Sequence, residues 1–183
     1  LRDNARWDLL DDVLLFGDGD VLLKPVASLD VVGHEFGHGL TDFQMGWSYI
    51  GMGQVFHEGI SDIWGAIFEY RIKGSNSNNW KIGEQVINNG KTSLRNIQNT
   101  TDSNTQFPIS DTYQSSQYNN GDHYVKSGVF SHWFYILVNG ESGTNDVGTS
   151  YNVSGIGMDK AEDIMLYLSL IHISEPTRQA EIS

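Results

Sequence analysis

Residues 54–72 read QVFHEGISDIWGAIFEYRI, and no other stretch restricts the fold so tightly. The segment is apolar nearly all round, the pattern of a helix buried at the centre of a domain. It nevertheless carries Glu58, Asp62 and Glu69 within about 40° of one another on a helical wheel. Buried carboxylates must be paired or bound to metal, because an isolated buried charge is strongly destabilising. Whatever packs on this face must therefore bring donors, cations or metal ions. The competing description, a solvated acidic face, conflicts with the Val, Phe, Ile, Trp and Ala residues around it.

The segment VVGHEFGHGLTD, residues 31–42, offers the complement. His34 and His38 are four apart, hence one turn apart on one helix face, where two imidazoles can reach one ion. Glu35 lies about 100° round the helix, close to such an ion without ligating it. Zinc hydrolysis needs this arrangement: a metal that acidifies water and a neighbouring carboxylate that accepts the proton. Alone, the five-residue pattern also fits a core helix with two hydrogen-bonded histidines. The acidic stripe decides between them. Laid antiparallel, Asp30, His34 and His38 face Glu69, Asp62 and Glu58. Glu58 then becomes a third ligand, and Asp62 comes within reach of an imidazole N–H, fixing its tautomer. Asp30 falls near Glu69, an oxygen-rich pair suited to calcium.

Composition supports the same chemistry. The 183 residues carry 11 basic against 23 acidic groups, a formal charge of -12, which disfavours nucleic acid and anionic membrane as partners. With no cysteine, any metal must be held by His, Asp and Glu. No apolar run is long enough to span a bilayer, and LRDNARWDLL lacks the blocks of a signal peptide.

The organisation expected is one α+β domain, mainly helical, with an N-terminal strand and loop region over residues 1–27. That region reads as apolar runs around a Gly-Asp-Gly turn. A helix follows from Asp30, capped by Asp30 or Ser28, to about Thr41. Residues 73–125, rich in Asn, Ser, Gly, Thr and Gln, read as long ordered loops. Further helices are expected near Ser127 and Met158. LSLIHISEPTR, beginning at Leu168, resembles the translation of a sequencing-library adapter, with QAEIS as its index and flanking bases. The other reading is a helix end followed by a Pro-containing tail. On the first, residues 1–167 are a partial domain truncated at both ends, and 168–183, including His172, stand outside fold and site.

The separated motifs DVVGHEFGHGLTD, HEGISDIWG, WKIGE, SLR, SGVFSHWFYIL and VSGIGMDKA occur in an order that resembles the thermolysin-like (bacillolysin-type) zinc metallopeptidases, over most of residues 4–167. The resemblance implies a two-lobe peptidase domain with its active site between lobes on two packed helices. It also implies a secreted enzyme that cleaves internal peptide bonds of protein or peptide substrates. His34, His38 and Glu58 would be the zinc ligands, Glu35 the general base and Asp62 the orienter of a ligand histidine. Tyr49 matches the tyrosine that steadies the tetrahedral intermediate, and Arg95 the arginine that holds the substrate carbonyl. Asn4 and Ala5 match the edge segment that pairs with substrate backbone. Asp30, Glu69 and Glu84 match calcium ligands. Asn79 and Lys81 stand where a double site has acidic residues, so one calcium is expected.

NNGDHYVKSGV departs from the family. The histidine that hydrogen-bonds the oxyanion belongs at Tyr124, and the acidic residue supporting it reads as Asn119. His123 is one place earlier. Three readings compete: a local deletion or sequence error has shifted the register, His123 bends into the role, or Tyr124 replaces the histidine as donor; His123 is the residue assigned here. The departure also motivates a second functional class, a metal-binding or interaction module descended from such a peptidase with impaired catalysis.

Overall fold

The computed structural model describes residues 1–45 and 49–171. Two strands, β1 (Ala5–Asp8) and β2 (Val13–Phe16), precede the helices α1 (Leu29–Met45) and α2 (Met52–Lys73). Short strands β3 (Lys81–Ile82) and β4 (Arg95–Asn96) pair antiparallel within the polar loop region. Then come α3 (Ser116–Asn120), α4 (His123–Asn139), a hairpin of β5 (Gly140–Thr144) and β6 (Ser150–Ser154), and α5 (Met158–Ile171). This is a mixed architecture dominated by helices. Of the tail set apart in the sequence, 168–183, residues 168–171 complete α5, and those from His172 onward lie outside the described residues.

α2 is the centre of the molecule. Ile63, Trp64, Ala66 and Ile67 pack with Ile82 and Ile97 from the loop region, Phe134 of α4, and Ala161 and Met165 of α5. A smaller cluster of Ala5, Leu23, Val26, Val31, Val86 and Ile87 ties the N-terminal segment to α1. A cleft has residues of both apolar clusters in its walls.

Glycines let α1 and α2 approach backbone to backbone. A methyl group at Gly37 would lie 2.7 Å from Ser61 Cα, and one at Gly65 would lie 2.6 Å from the carbonyl oxygen of Asp30. Neither obstacle is a flexible side chain. Gly65→Ala is therefore expected to cost about 1–3 kcal/mol through forced separation of the helices, read as a lowered urea midpoint with an unchanged m-value.

Three sequence expectations differ from the structure. The Gly-Asp-Gly segment is not a hairpin turn: β1 and β2 close through residues 9–12, with Asp12 in the left-handed region at φ 52°. The loop after Gly19 is instead gathered by Asp3, whose carboxylate accepts backbone N–H groups of Asp20, Val21, Leu22 and Leu23. α1 continues past Thr41 to Met45. α4 begins at His123 rather than near Ser127, because Asp122 caps it, accepting the Val125 N–H at 3.0 Å.

Candidate active site

Helical spacing brings His34 and His38 of α1 to one point and turns Glu58 of α2 towards them. The two Nε2 atoms are 3.2 Å apart. Glu58 Oε2 lies 3.5 Å from His34 Nε2, and Oε1 lies 3.7 Å from His38 Nε2. Ligands about 2.0–2.1 Å from one tetrahedral ion are separated by about 3.3 Å, so the three groups are spaced to share one. Glu58 Oε2 is buried without a hydrogen-bond partner among the described residues, an arrangement a bound cation would satisfy. The donor set, two imidazoles and a carboxylate on a dry helix interface, suits zinc.

Electrostatics point the same way. Burial disfavours charge on His34, but the hydrogen bond to Asp62 and the nearby Glu58 carboxylate outweigh it and raise its pKa to about 10. Burial and the neighbouring charge of His34 push His38 down to about 3. Two imidazoles this close cannot both be charged, and the carboxylates call for one positive charge between them. His34 Nδ1 is 2.8 Å from Asp62 Oδ1; in the neutral imidazole that a metal would require, donation there leaves Nε2 as the lone-pair nitrogen facing Glu58.

Asp62 is fully buried and serves two cations. Arg95 on β4 clamps it with Nε–Oδ2 at 2.8 Å and Nη2–Oδ1 at 2.6 Å. Although burial works against ionisation, the Arg95 charge and the His34 hydrogen bond hold the Asp62 carboxyl at about 2. Arg95, expected beside a substrate carbonyl, is thus also the electrostatic support of the histidine side of the site.

Glu35 occupies the cleft wall beside the triad. The backbone N–H of Trp7 on β1 donates to its Oε2 at 2.9 Å. Burial raises its pKa above the ordinary carboxylate value despite the lowering effects of His34 and the Trp7 hydrogen bond. The sequence carried no sign of this tether, since it joins residues 28 apart through the packing of β1 on α1. Asn4 and Ala5 lie on the same edge of the cleft, whose volume is about 710 Å³.

The model for "Thermolysin metallopeptidase, alpha-helical domain" matches residues 49–181, and that for "Thermolysin metallopeptidase, catalytic domain" matches residues 2–42. The chain belongs to the thermolysin metallopeptidase family. It is 35% identical over 139 residues to a zinc metalloproteinase of Legionella pneumophila, covering 75% of this chain and 24% of that protein. It is 32% identical over 179 residues to bacillolysin of Bacillus caldolyticus and to thermolysin of Alicyclobacillus acidocaldarius subsp. acidocaldarius, covering 96% of this chain and 31% of each relative. The chain thus spans no more than about a third of these relatives.

Within this thermolysin-family site, Tyr49 lines the cleft but gives its hydroxyl proton to Asp42 Oδ2 at 2.7 Å. Its ring stacks on His57 with centroids 4.0 Å apart. His57, passed over in the sequence, is fully buried on α2 beside Glu58 and lies 3.8 Å from Asp42 through Nε2. Its position next to a ligand in an apolar helix was the available signal.

His123 does not join the constellation. Its Nε2 lies 3.2 Å from Gln54 Nε2, while the cleft wall is formed by Tyr124. The cause is the Asp122 cap, which makes these two residues the first of α4, about 100° apart round the helix axis.

Asp30, Glu69 and Glu84, the carboxylates expected to hold calcium, influence one another electrostatically. Asp30 accepts from the Ser28 hydroxyl and the Gly83 N–H, and Lys73 Nζ contacts Glu69 Oε1. Burial first, then the charges of Asp30 and Glu69, raise Glu84 to about 7. Glu69 Oε2 and Glu84 Oε2 are buried without partners among the described residues. No described helix is long and apolar enough to cross a membrane.

Proposed function

We propose that the protein containing this chain is a secreted zinc metalloendopeptidase acting on internal bonds of protein or peptide substrates. The observation that carries this reading is the His34, His38 and Glu58 cluster, whose ligand atoms lie within 4.8 Å of one another, with Glu35 beside it. The zinc-metalloproteinase, bacillolysin and thermolysin names of the relatives support it. Zinc supplies Lewis acidity, acidifying water and polarising a carbonyl.

The chain's own residues do the rest. Glu35 takes the proton of the attacking water and passes it to the leaving amine; its raised proton affinity suits both halves of that transfer. Trp7 N–H keeps the carboxylate aimed. Asn4 and Ala5 line the cleft edge along which an extended substrate would lie, Arg95 receives its carbonyl, and Tyr49 donates to the oxyanion after releasing Asp42. Asp62 orients His34. Asp30, Glu69 and Glu84 would hold one calcium, Glu69 Oε2 and Glu84 Oε2 being buried oxygens without partners among the described residues.

Removal of metal from the intact protein by a chelator is expected to abolish cleavage of an unfolded protein substrate, and one equivalent of zinc to restore it. Cleavage that persists without metal would sink the reading. The second reading, a metal-binding module with impaired catalysis, draws on the position of His123 outside the cleft. Stoichiometric zinc binding without any proteolysis by the intact protein would select it.

A further inference from the structure

We propose that Tyr124 is a catalytic residue of this site, its phenol donating a hydrogen bond to the oxyanion that forms at the scissile carbonyl. The inference rests on the peptidase reading and concerns which donor faces the reacting carbon.

Four observations converge on Tyr124. First, the capped start of α4 turns His123 towards Gln54 on α2 and leaves Tyr124 in the cleft wall with Glu35, Glu58 and Arg95. Second, the ring has two close neighbours. The imidazole of His123 packs with its centroid 4.1 Å away, and the Arg95 guanidinium carbon lies 6.0 Å from the ring centroid, within cation–π range. Third, the neighbouring donors have other partners to leave first. Tyr49 donates to Asp42 and must release it before serving the oxyanion, and Arg95 uses Nε and Nη2 on Asp62. Among the described residues Tyr124 is the cleft phenol whose hydroxyl is not already donated. Fourth, burial and the charges of Glu58 and Glu35 favour the protonated phenol despite the opposing charge of Arg95, so the group is a donor throughout the neutral range.

The chemistry asks little of the residue. As the carbonyl becomes tetrahedral, negative charge grows on its oxygen, and an O–H presented from the cleft wall stabilises that charge more than the neutral carbonyl. No proton leaves Tyr124. His123 is thereby assigned a packing contact against the Tyr124 ring rather than a donor role.

The test uses the intact, zinc-loaded protein with Tyr124→Phe, His123→Ala and Glu35→Gln variants. Tyr124→Phe is expected to lower kcat by about 100- to 1000-fold with KM changed by less than about threefold, because the lost bond forms only in the transition state. Its affinity for a peptide phosphonamidate, a tetrahedral mimic, falls by a comparable factor in calorimetry, while bound zinc stays at one equivalent. His123→Ala costs less than about tenfold in either measurement. The proposal is overturned if Tyr124→Phe keeps both kcat and phosphonamidate affinity, or if the loss appears in His123→Ala instead. Failure of the peptidase reading looks different: neither wild type nor Glu35→Gln cleaves peptide. The mimic then decides, since equal binding by wild type and Tyr124→Phe, or no binding by either, also overturns the role of Tyr124.

Discussion

Asp62→Ala is expected to be among the most destabilising single substitutions in this chain, lowering stability by about 3–5 kcal/mol. The change leaves the buried Arg95 guanidinium without its clamp at 2.8 and 2.6 Å and strips His34 Nδ1 of a partner at 2.8 Å. An uncompensated buried charge costs far more than the intact pair contributes, and total stabilities are only about 5–15 kcal/mol. Urea unfolding of the metal-free protein gives the magnitude. A double variant, Asp62→Ala with Arg95→Met, should recover much of the loss, since it removes the orphaned cation as well. In whatever folded protein remains, zinc affinity falls by about 10- to 100-fold, because the ligand tautomer is no longer held. An unchanged urea midpoint would exclude the clamp as a source of stability.

The same carboxylate sets a pH dependence. Its folded pKa of about 2 lies below the ordinary 3.8, so its contribution is fully present above 3.8 and disappears as pH falls through 2. Acid titration of stability should therefore steepen in that window for the parent and flatten in the double variant.

Glu35→Gln is expected to reduce peptide cleavage by about 100- to 10,000-fold, the range associated with a lost proton acceptor, while one equivalent of zinc remains bound. The amide is nearly isosteric and its oxygen can still accept the Trp7 N–H at 2.9 Å, so the cleft keeps its shape. What disappears is the capacity to take a proton from water. Unaltered turnover in this variant would remove Glu35 from the reaction.

Legibility from sequence followed the range of the interactions. Local periodicity put His34 and His38 on one face, and three carboxylates in an apolar helix demanded a partner of that kind. Both features need only helical geometry, and the helices form over residues that include them. Register on α4 was not legible, because it depends on one capping side chain, Asp122, and a single-residue shift exchanges His123 for Tyr124 in the cleft. The Trp7–Glu35 and Arg95–Asp62 contacts join residues 28 and 33 apart; no local pattern encodes which backbone N–H meets a carboxylate. The hairpin β5–β6 also escaped notice. Its strands, GESGT and SYNVS, are mostly exposed and carry no apolar alternation.

The backbone contact between α1 and α2 at Gly37 and Gly65 implies that the cation site is built like a joint without a gasket. Side chains between two helices can repack and let ligands drift, but touching main chains set the span between histidines and carboxylate mechanically. Transplanting the three ligands into another helix pair would therefore require carrying the two glycines with them. A scaffold with alanines there would hold the same residues at the wrong separation.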